Sequence, residues 1–317
     1  MRGGRARPPL PSTLSAPVPA FSSADAAVGR AHVKRILVAT DFSEHAERAL
    51  EWAAALAKRF GAELELVTSV FVVPLASGPH SLGVPPDYLR NAREQAESQL
   101  DAIAARLSRE GIRVECTVVH EDPSSGLCAR AAETRADLVA IGTRGRSGLS
   151  HVLLGSVAER TARLAACPVL SVHAGSPAPR ALRKLVVPMD FSAPALAALE
   201  LARILVEPGG ELALVHAIAP VLSAGSPERP LEDPRAEEWA RAEFEKLRAS
   251  GAVASAHLEI RYGAADAVVV DAASELEADA IVMGTRGRSG ITRMFLGSVA
   301  ERVLRRALQP VFVTQPG

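Results

Sequence analysis

One seven-residue string occurs twice in this 317-residue chain: Gly-Thr-Arg-Gly-Arg-Ser-Gly, at Gly142–Gly148 and again at Gly284–Gly290. Each copy is followed, after the same interval, by Leu-Gly-Ser-Val-Ala-Glu-Arg, at Leu154–Arg160 and Leu296–Arg302. Two strings shared at one spacing make the chain a tandem repeat, so the two halves must adopt one fold. In each copy an apolar segment ends on a glycine, passes through a glycine-rich loop and enters a helix. Such a loop presents backbone N–H groups to an anion, phosphate above all.

Around the glycine loops, aliphatic runs alternate with amphipathic stretches. Repeat one predicts strands at Arg35–Thr40, Glu63–Val70, Ile112–Val119, Asp137–Gly142 and Pro168–His173. Helices fall between them at Ser43–Phe60, about Asp87–Glu110, Ser124–Arg135 and Val157–Ala166. Repeat two restarts at Lys184–Met189 and copies the order, with strands at Glu211–Ile218, near Ala256–Tyr262, at Asp279–Gly284 and at Pro310–Thr314. Strands alternating with helices predict an α/β chain of two doubly wound domains, each a parallel sheet flanked by helices. Aromatic residues are only 4% of a chain that is 48% hydrophobic, so Val, Leu, Ile and Ala must fill the cores. That suits the continuous aliphatic strands of a parallel sheet.

The chain divides into a disordered N-terminal tail (1–31), a first domain (32–173), a linker (174–182) and a second domain (183–317). The tail is rich in Pro, Ala, Ser and Arg, and has no acidic residue before Asp25. It lacks the apolar h-region of a secretory signal. No apolar run approaches the ~18 residues that span a bilayer. Lys plus Arg equals Asp plus Glu at 36 each, which gives no support to a nucleic-acid or membrane surface. Cys116, Cys128 and Cys167 form no CxxC pair and have no counterparts in repeat two, so they read as free, buried thiols in a reducing compartment. The expected location is cytoplasmic.

Doubly wound sheets bind ligands beyond the carboxyl ends of their strands, where strand order reverses. The glycines there fall as Gly142-x2-Gly145-x9-Gly155-Ser156 and Gly284-x2-Gly287-x9-Gly297-Ser298. The first glycine of each set permits close backbone approach. Ser156 with Glu159, and Ser298 with Glu301, have capping-box spacing. A capped helix behind a flexible loop is the plain reading, but it leaves the upstream glycines and the loop arginines without a role. Arg144, Arg146, Arg286 and Arg288 put positive charge beside the site, either to screen a polyphosphate or simply to be solvated.

A second element is Thr40-Asp41-Phe42-Ser43, echoed by Met189-Asp190-Phe191-Ser192. An Asp ending a strand ahead of a helix can cap that helix or meet its dipole. It can also hydrogen-bond a ribose, or hold a metal that bridges phosphates. Its place opposite the glycine loop favours the ligand. Ser43 and Ser192 read as helix caps. A P-loop and a dinucleotide fingerprint are both excluded, since there is no G-x-x-x-x-G-K-[ST] and the glycines follow the fourth strand rather than the first.

These motifs, with the closing Cys167-Pro168-Val169 and Gln309-Pro310-Val311 segments, resemble the universal stress protein family in its tandem-domain form. The resemblance runs from Val33 to Gln315, and the G-x2-G-x9-G-[ST] spacing resembles that family's ATP-binding branch. It implies a five-stranded parallel sheet of order 3-2-1-4-5 in each domain. It also implies domain pairing through the last strands, an intramolecular pseudo-dimer that a homodimer would extend. The implied cofactor is ATP, with Mg held mainly by its phosphates. By position, adenine would rest against Ser69 and Ala217. Asp41 and Asp190, preceded by Thr40 and Met189, would lie near adenosine. Gly142, Arg144, Gly145, Gly155, Ser156 and Val157 would hold the phosphates of one site. Gly284, Arg286, Gly287, Gly297, Ser298 and Val299 would hold those of the other. Thr68 departs from the His often found before the adenine contact, while His216 keeps it.

The implied function is ATP-dependent regulation in stress adaptation, read by a protein partner. Two alternatives stand beside it. A slow ATPase or nucleotidyl transferase would need a nucleophile, a base or a lysine clamp. None recurs in both repeats, since His45 and His151 meet Pro194 and Arg293 in repeat two. A nucleotide-free scaffold would predict degraded glycines in one copy, and both copies keep theirs. No catalytic residue is therefore assigned.

Overall fold

The computed structural model describes residues 33–71, 86–143, 154–219, 221–223, 226–231, 233–251, 253, 256–287 and 296–315. The tail at 1–31, the loop residues Arg144, Gly145, Arg146 and Arg288, and His151 and Arg293 lie outside them.

The first domain runs β1 (Arg35–Ala39), α1 (Glu44–Phe60), β2 (Glu63–Ser69), α2 (Pro86–Arg109), β3 (Val114–Val119), α3 (Pro123–Glu133), β4 (Leu138–Gly142), α4 (Ser156–Leu164) and β5 (Val169–Val172). The second runs β6 (Lys184–Pro188), α5 (Ala193–Leu205), β7 (Glu211–Ile218), β8 (Val221–Ser223), β9 (Ser226–Leu231), α6 (Pro234–Ala249), β10 (Ala256–Tyr262), α7 (Ala265–Glu275), β11 (Ala280–Gly284), α8 (Ser298–Arg306) and β12 (Val311–Thr314). The β8–β9 hairpin is the element that the sequence pattern misses; it pairs only with itself.

Strand order in the first domain is β3-β2-β1-β4-β5, all parallel, which is the 3-2-1-4-5 order. The second domain gives β10-β7-β6-β11-β12, the same order once the hairpin is set aside. The halves meet where β12 lies antiparallel to β5, with Phe312 opposite Leu170, so ten strands form one sheet. Each of these last strands covers the edge of the other, which would otherwise template aggregation.

Alternate residues along each strand serve opposite faces. Ile36, Val38, Leu64 and Leu66 join Leu50 and Trp52 of α1 in one buried cluster. Leu37, Val139 and Ile141 join Leu127 of α3 and Ala158 of α4 in the other. Both clusters cross the seam, through Leu170 with Phe312 on one face and Val169 with Val311 on the other. The Trp52 indole N–H donates to the Pro177 carbonyl at 3.1 Å, and the Arg59 guanidinium donates to the Val206 carbonyl at 3.1 Å, so α1 anchors both the linker and α5.

The interior also holds buried carboxylates, Glu65, Asp266 and Asp279. Glu65, in the middle of β2, is fully buried. It accepts from Arg130 Nε of α3 and from Thr117 Oγ1 at 2.8 Å, and Arg35 lies 3.4 Å away. The matching register position in the second domain is Ala213, since Glu63 and Glu211 each start their strand opposite the first residue of β1 or β6.

The cysteines are free, but they are not the buried thiols the sequence suggests. Cys116 is exposed on the edge strand β3, and Cys128 and Cys167 are half-buried. Burial is the main influence pushing the Cys167 thiol up to about 11, with the nearby Cys128 adding to it. At pH 8 roughly one molecule in a thousand would then carry a Cys167 thiolate. Native protein treated with iodoacetamide at that pH should therefore leave Cys167 unalkylated for as long as a denatured control takes to react fully. Equal rates would contradict the assigned environment.

Candidate functional site

A cleft of about 620 Å³ opens at the carboxyl ends of β1 and β4 in the first domain. Its walls include Thr40, Asp41, Ser69, Gly142, Gly155, Ser156 and Val157, so the sheet brings together every described residue assigned to the first site. The sequence reading leaves out one wall. Tyr88, Gln95 and Gln99 of α2 also line the cleft, with Phe42 and Thr68. Helix α2 reads in sequence as a polar surface helix, and only the fold shows which of its residues turn inward.

The Asp-Phe-Ser turn is built alike in both domains. Asp41 Oδ1 accepts the Ser43 N–H at 3.1 Å, and Asp190 Oδ1 accepts the Ser192 N–H at 3.0 Å. Ser43 and Ser192 cap α1 and α5, accepting from Ala46 N–H at 3.3 Å and Ala195 N–H at 3.4 Å, as their positions suggest. Phe42 and Phe191 sit between them at φ of 63° and 60°. Left-handed backbone costs a bulky residue about 1–2 kcal/mol, and here it recurs at both clefts. Thr40 is buried and its Oγ1 accepts the Phe42 N–H at 3.0 Å. Met189 is also buried, and its carbonyl takes a 2.7 Å hydrogen bond from His216 Nδ1.

The glycines divide into two structural roles. A Cβ on Gly142 would lie 2.7 Å from the backbone carbonyl of His45, and one on Gly284 would lie 2.7 Å from that of Pro194. The close approach these glycines permit is thus to the first turn of α1 or α5. They set how near the Asp-bearing turn comes to the fourth strand. Gly155 and Gly297 instead close the loop, each donating its N–H at 2.8 Å to the carbonyl of Thr143 or Thr285. In the second domain, Asp190 Oδ2 lies 2.7 Å from where a Gly287 Cβ would stand, so the carboxylate rests directly on the loop. Arg286 is half-buried beside it.

The capping-box reading of α4 and α8 is corrected. Gly155 and Gly297 are the N-caps, and neither helix has a side-chain cap bond. Ser156 and Ser298 are the first helical residues, one position too late for the capping box. The leading amides of α4 are therefore not met by a cap side chain at the cleft wall, which is the arrangement that receives an anion.

The repeats differ behind the first glycine. Thr143 Oγ1 lies 3.3 Å from His45 Nδ1, which also accepts the Ala174 N–H at 3.1 Å. Pro194 replaces His45 in the second domain, and Thr285 Oγ1 is buried there without a hydrogen-bond partner among the described residues. Among the described residues no group of three or more His, Cys, Asp or Glu side chains could hold a metal, and no helix is long and apolar enough to cross a membrane.

The model of the universal stress protein family matches residues 32–173 and again 181–315. A universal stress protein of Mycolicibacterium smegmatis is 29% identical over 303 residues, covering 89% of this chain and 97% of that one. One from Methanocaldococcus jannaschii is 32% identical over 139 residues, 44% of this chain and 81% of its own. The crystal structure of a universal stress protein from Archaeoglobus fulgidus matches with a TM-score of 0.70 at 27% identity, covering 90% of this chain and 99% of that one. Two successive family domains, on a shared sheet of the kind derived above, place this chain in the universal stress protein family.

Proposed function

We propose that this protein binds ATP in the cleft of its first domain and acts by regulation, its nucleotide state being read by a partner during stress adaptation. The observation that carries the reading is the cleft itself. Its volume suits a ligand of nucleotide size. The α4 amides stand at one end without a cap side chain, and Asp41 stands across from them.

In this reading Ser69 meets the base, Asp41 the ribose, and Gly155, Ser156 and Val157 the phosphates, with Gly142, Arg144 and Gly145 completing the loop. The second domain repeats the phosphate end in Gly284, Arg286, Gly287, Gly297, Ser298 and Val299. Asp190 and Ala217 stand at its nucleoside end, with Met189 behind them. Mg would arrive on the phosphates, since Asp41 is the one carboxylate among the described residues of the first cleft. For the same reason binding is favoured over turnover: a hydrolase needs a positioned base beside the attacking water, and Asp41 Oδ1 is committed to its own helix turn.

The test is isothermal titration of ATP with Mg into the intact chain and into Gly155→Val/Gly297→Val, with circular dichroism beside it. Phosphate held by amides is worth about 1.5–3 kcal/mol per charged hydrogen bond, so the variant should lose about a hundredfold or more in affinity while keeping its spectrum. Unchanged affinity would refute the site. Steady-state ADP release should stay well below the ~1 per second of an ordinary enzyme; a rate at or above it would overturn the regulatory reading.

A further inference from the structure

Helix α2 overhangs the first cleft by about two turns that α6 lacks. Both helices end two residues before a left-handed glycine, Gly111 or Gly251, so they align at their carboxyl ends. Counted back from there, α2 has 24 residues and α6 has 16, and the extra residues stand at the start of α2. A helix that joins two parallel strands runs back against them, so its first turns lie at the carboxyl rim, where the cleft opens. Helix α2 packs on β2 and β3, on the far side of β1 from β4 and its glycine loop. The overhang therefore stands at the Ser69 end of the cleft.

The residues of α2 that line the cleft are Tyr88, Ala92, Gln95, Ala96 and Gln99. Steps of three and four residues put them on one stripe of the helix. The stripe runs from floor to mouth: Ala96 is buried, and Tyr88 is 60% exposed. The alanines occupy little of the cleft, and the glutamine amides bring hydrogen-bonding groups to it. Phe71, two residues past Ser69, lines the same cleft and is 43% exposed. Among the described residues no other large aromatic side chain is exposed. Aromatic faces open to water do nothing for the core, and two of them at one cleft suit a flat apolar ligand.

We propose that the overhanging turns of α2 are a platform for the base, the Tyr88 ring stacking on the adenine of a nucleotide held in the first cleft. This rests on the nucleotide reading above, and adds to it a contact from outside the duplicated motifs. Stacking of a base on an aromatic side chain is worth about five- to a hundredfold in affinity. It acts only on ligands that carry a ring. The phosphates, at the α4 end, are held the same way with or without it.

Calorimetric titration of the full chain carrying Gly297→Val, in which only the first cleft keeps its loop, tests it with two probes, ATP and inorganic tripolyphosphate, each with Mg. Tyr88→Ala should weaken ATP by about five- to a hundredfold and leave tripolyphosphate unchanged. Tyr88→Phe should keep full ATP affinity, and Tyr88→Leu, apolar but without a ring, should lose it as Tyr88→Ala does. The position is exposed, so each variant should keep the circular dichroism spectrum of its parent. Unchanged ATP affinity in Tyr88→Ala overturns the proposal and leaves the nucleotide reading standing. So does an equal loss for both probes, which would put the effect at the phosphate end. Where tripolyphosphate binds too weakly to measure, the other pair decides: equal ATP affinity in Tyr88→Phe and Tyr88→Leu overturns the proposal. ATP taken up by the unaltered chain but not by the Gly297→Val chain overturns it as well. An unaltered chain that takes up no ATP removes the nucleotide reading itself, and this proposal with it.

Discussion

Glu65→Ala should destabilise the chain by about 3 kcal/mol, seen as a fall of roughly 6–12 °C in melting temperature. The carboxylate is fully buried and joins α3, β1 and β3 through Arg130, Arg35 and Thr117. Removing it strands those donors at the sheet face. Breaking a buried pair by deleting one partner costs about 3–5 kcal/mol. The low end applies because both guanidiniums keep other carboxylates: Arg35 has Glu63 at 3.1 Å and Glu115 at 2.9 Å, and Arg130 has Glu133 at 3.0 Å. Both are also about a quarter exposed. Glu65→Ala/Arg130→Ala should cost less than the sum of its single changes, because the second removal no longer leaves an unmatched charge. A loss under about 1 kcal/mol in denaturant titration would show that the network is not held as described. Ala213 at the same position in the second domain shows that the fold itself does not require the charge.

The second large effect is steric. Gly142→Ala places a methyl 2.7 Å from the backbone C and O of His45, where no side chain can rotate out of the way. The first turn of α1 must move, and overpacking of this kind costs about 1–3 kcal/mol, with the upper end expected where the obstacle is backbone. Gly284→Ala meets Pro194 in the same way. Gly61→Ala is the control. It has open space around it, and its cost is only that of a left-handed residue at φ 68°, about 1–2 kcal/mol. Gly142→Ala should melt below Gly61→Ala and should also weaken ATP binding, because the turn it displaces carries Asp41. Equal melting temperatures would mean that the strand and helix are less closely packed than this geometry gives.

The duplicated glycine string made the doubly wound domains legible, and it did so because that pattern serves backbone needs that change little with context. The first-site residues converge for the same reason: strand ends and helix starts are local features. What sequence could not reveal depends on neighbours far along the chain. Glu65 lies inside the predicted strand Glu63–Val70 with nothing in the sequence to name its partner, and only α3 folding over it supplies Arg130. Gly142 reads as a ligand contact, whereas the nearest obstacle is a helix turn that begins about a hundred residues earlier. Ser156 and Glu159 fit a capping box by spacing, but Gly155 is the N-cap and Ser156 already the first helical residue.

The antiparallel seam between β5 and β12 has a directional consequence. Every other pairing in the ten-stranded sheet is parallel, so its strands in one half run against those in the other. The carboxyl ends of β1 and β4 therefore face the opposite rim of the sheet from those of β6 and β11, about 20 Å away counted sideways across four strand spacings. A regulator gripping one rim would face only one of them. The halves are joined along the β5–β12 ladder, where Phe312 lies opposite Leu170, and also by Arg59 reaching the Val206 carbonyl and Gln315 reaching the Arg163 carbonyl.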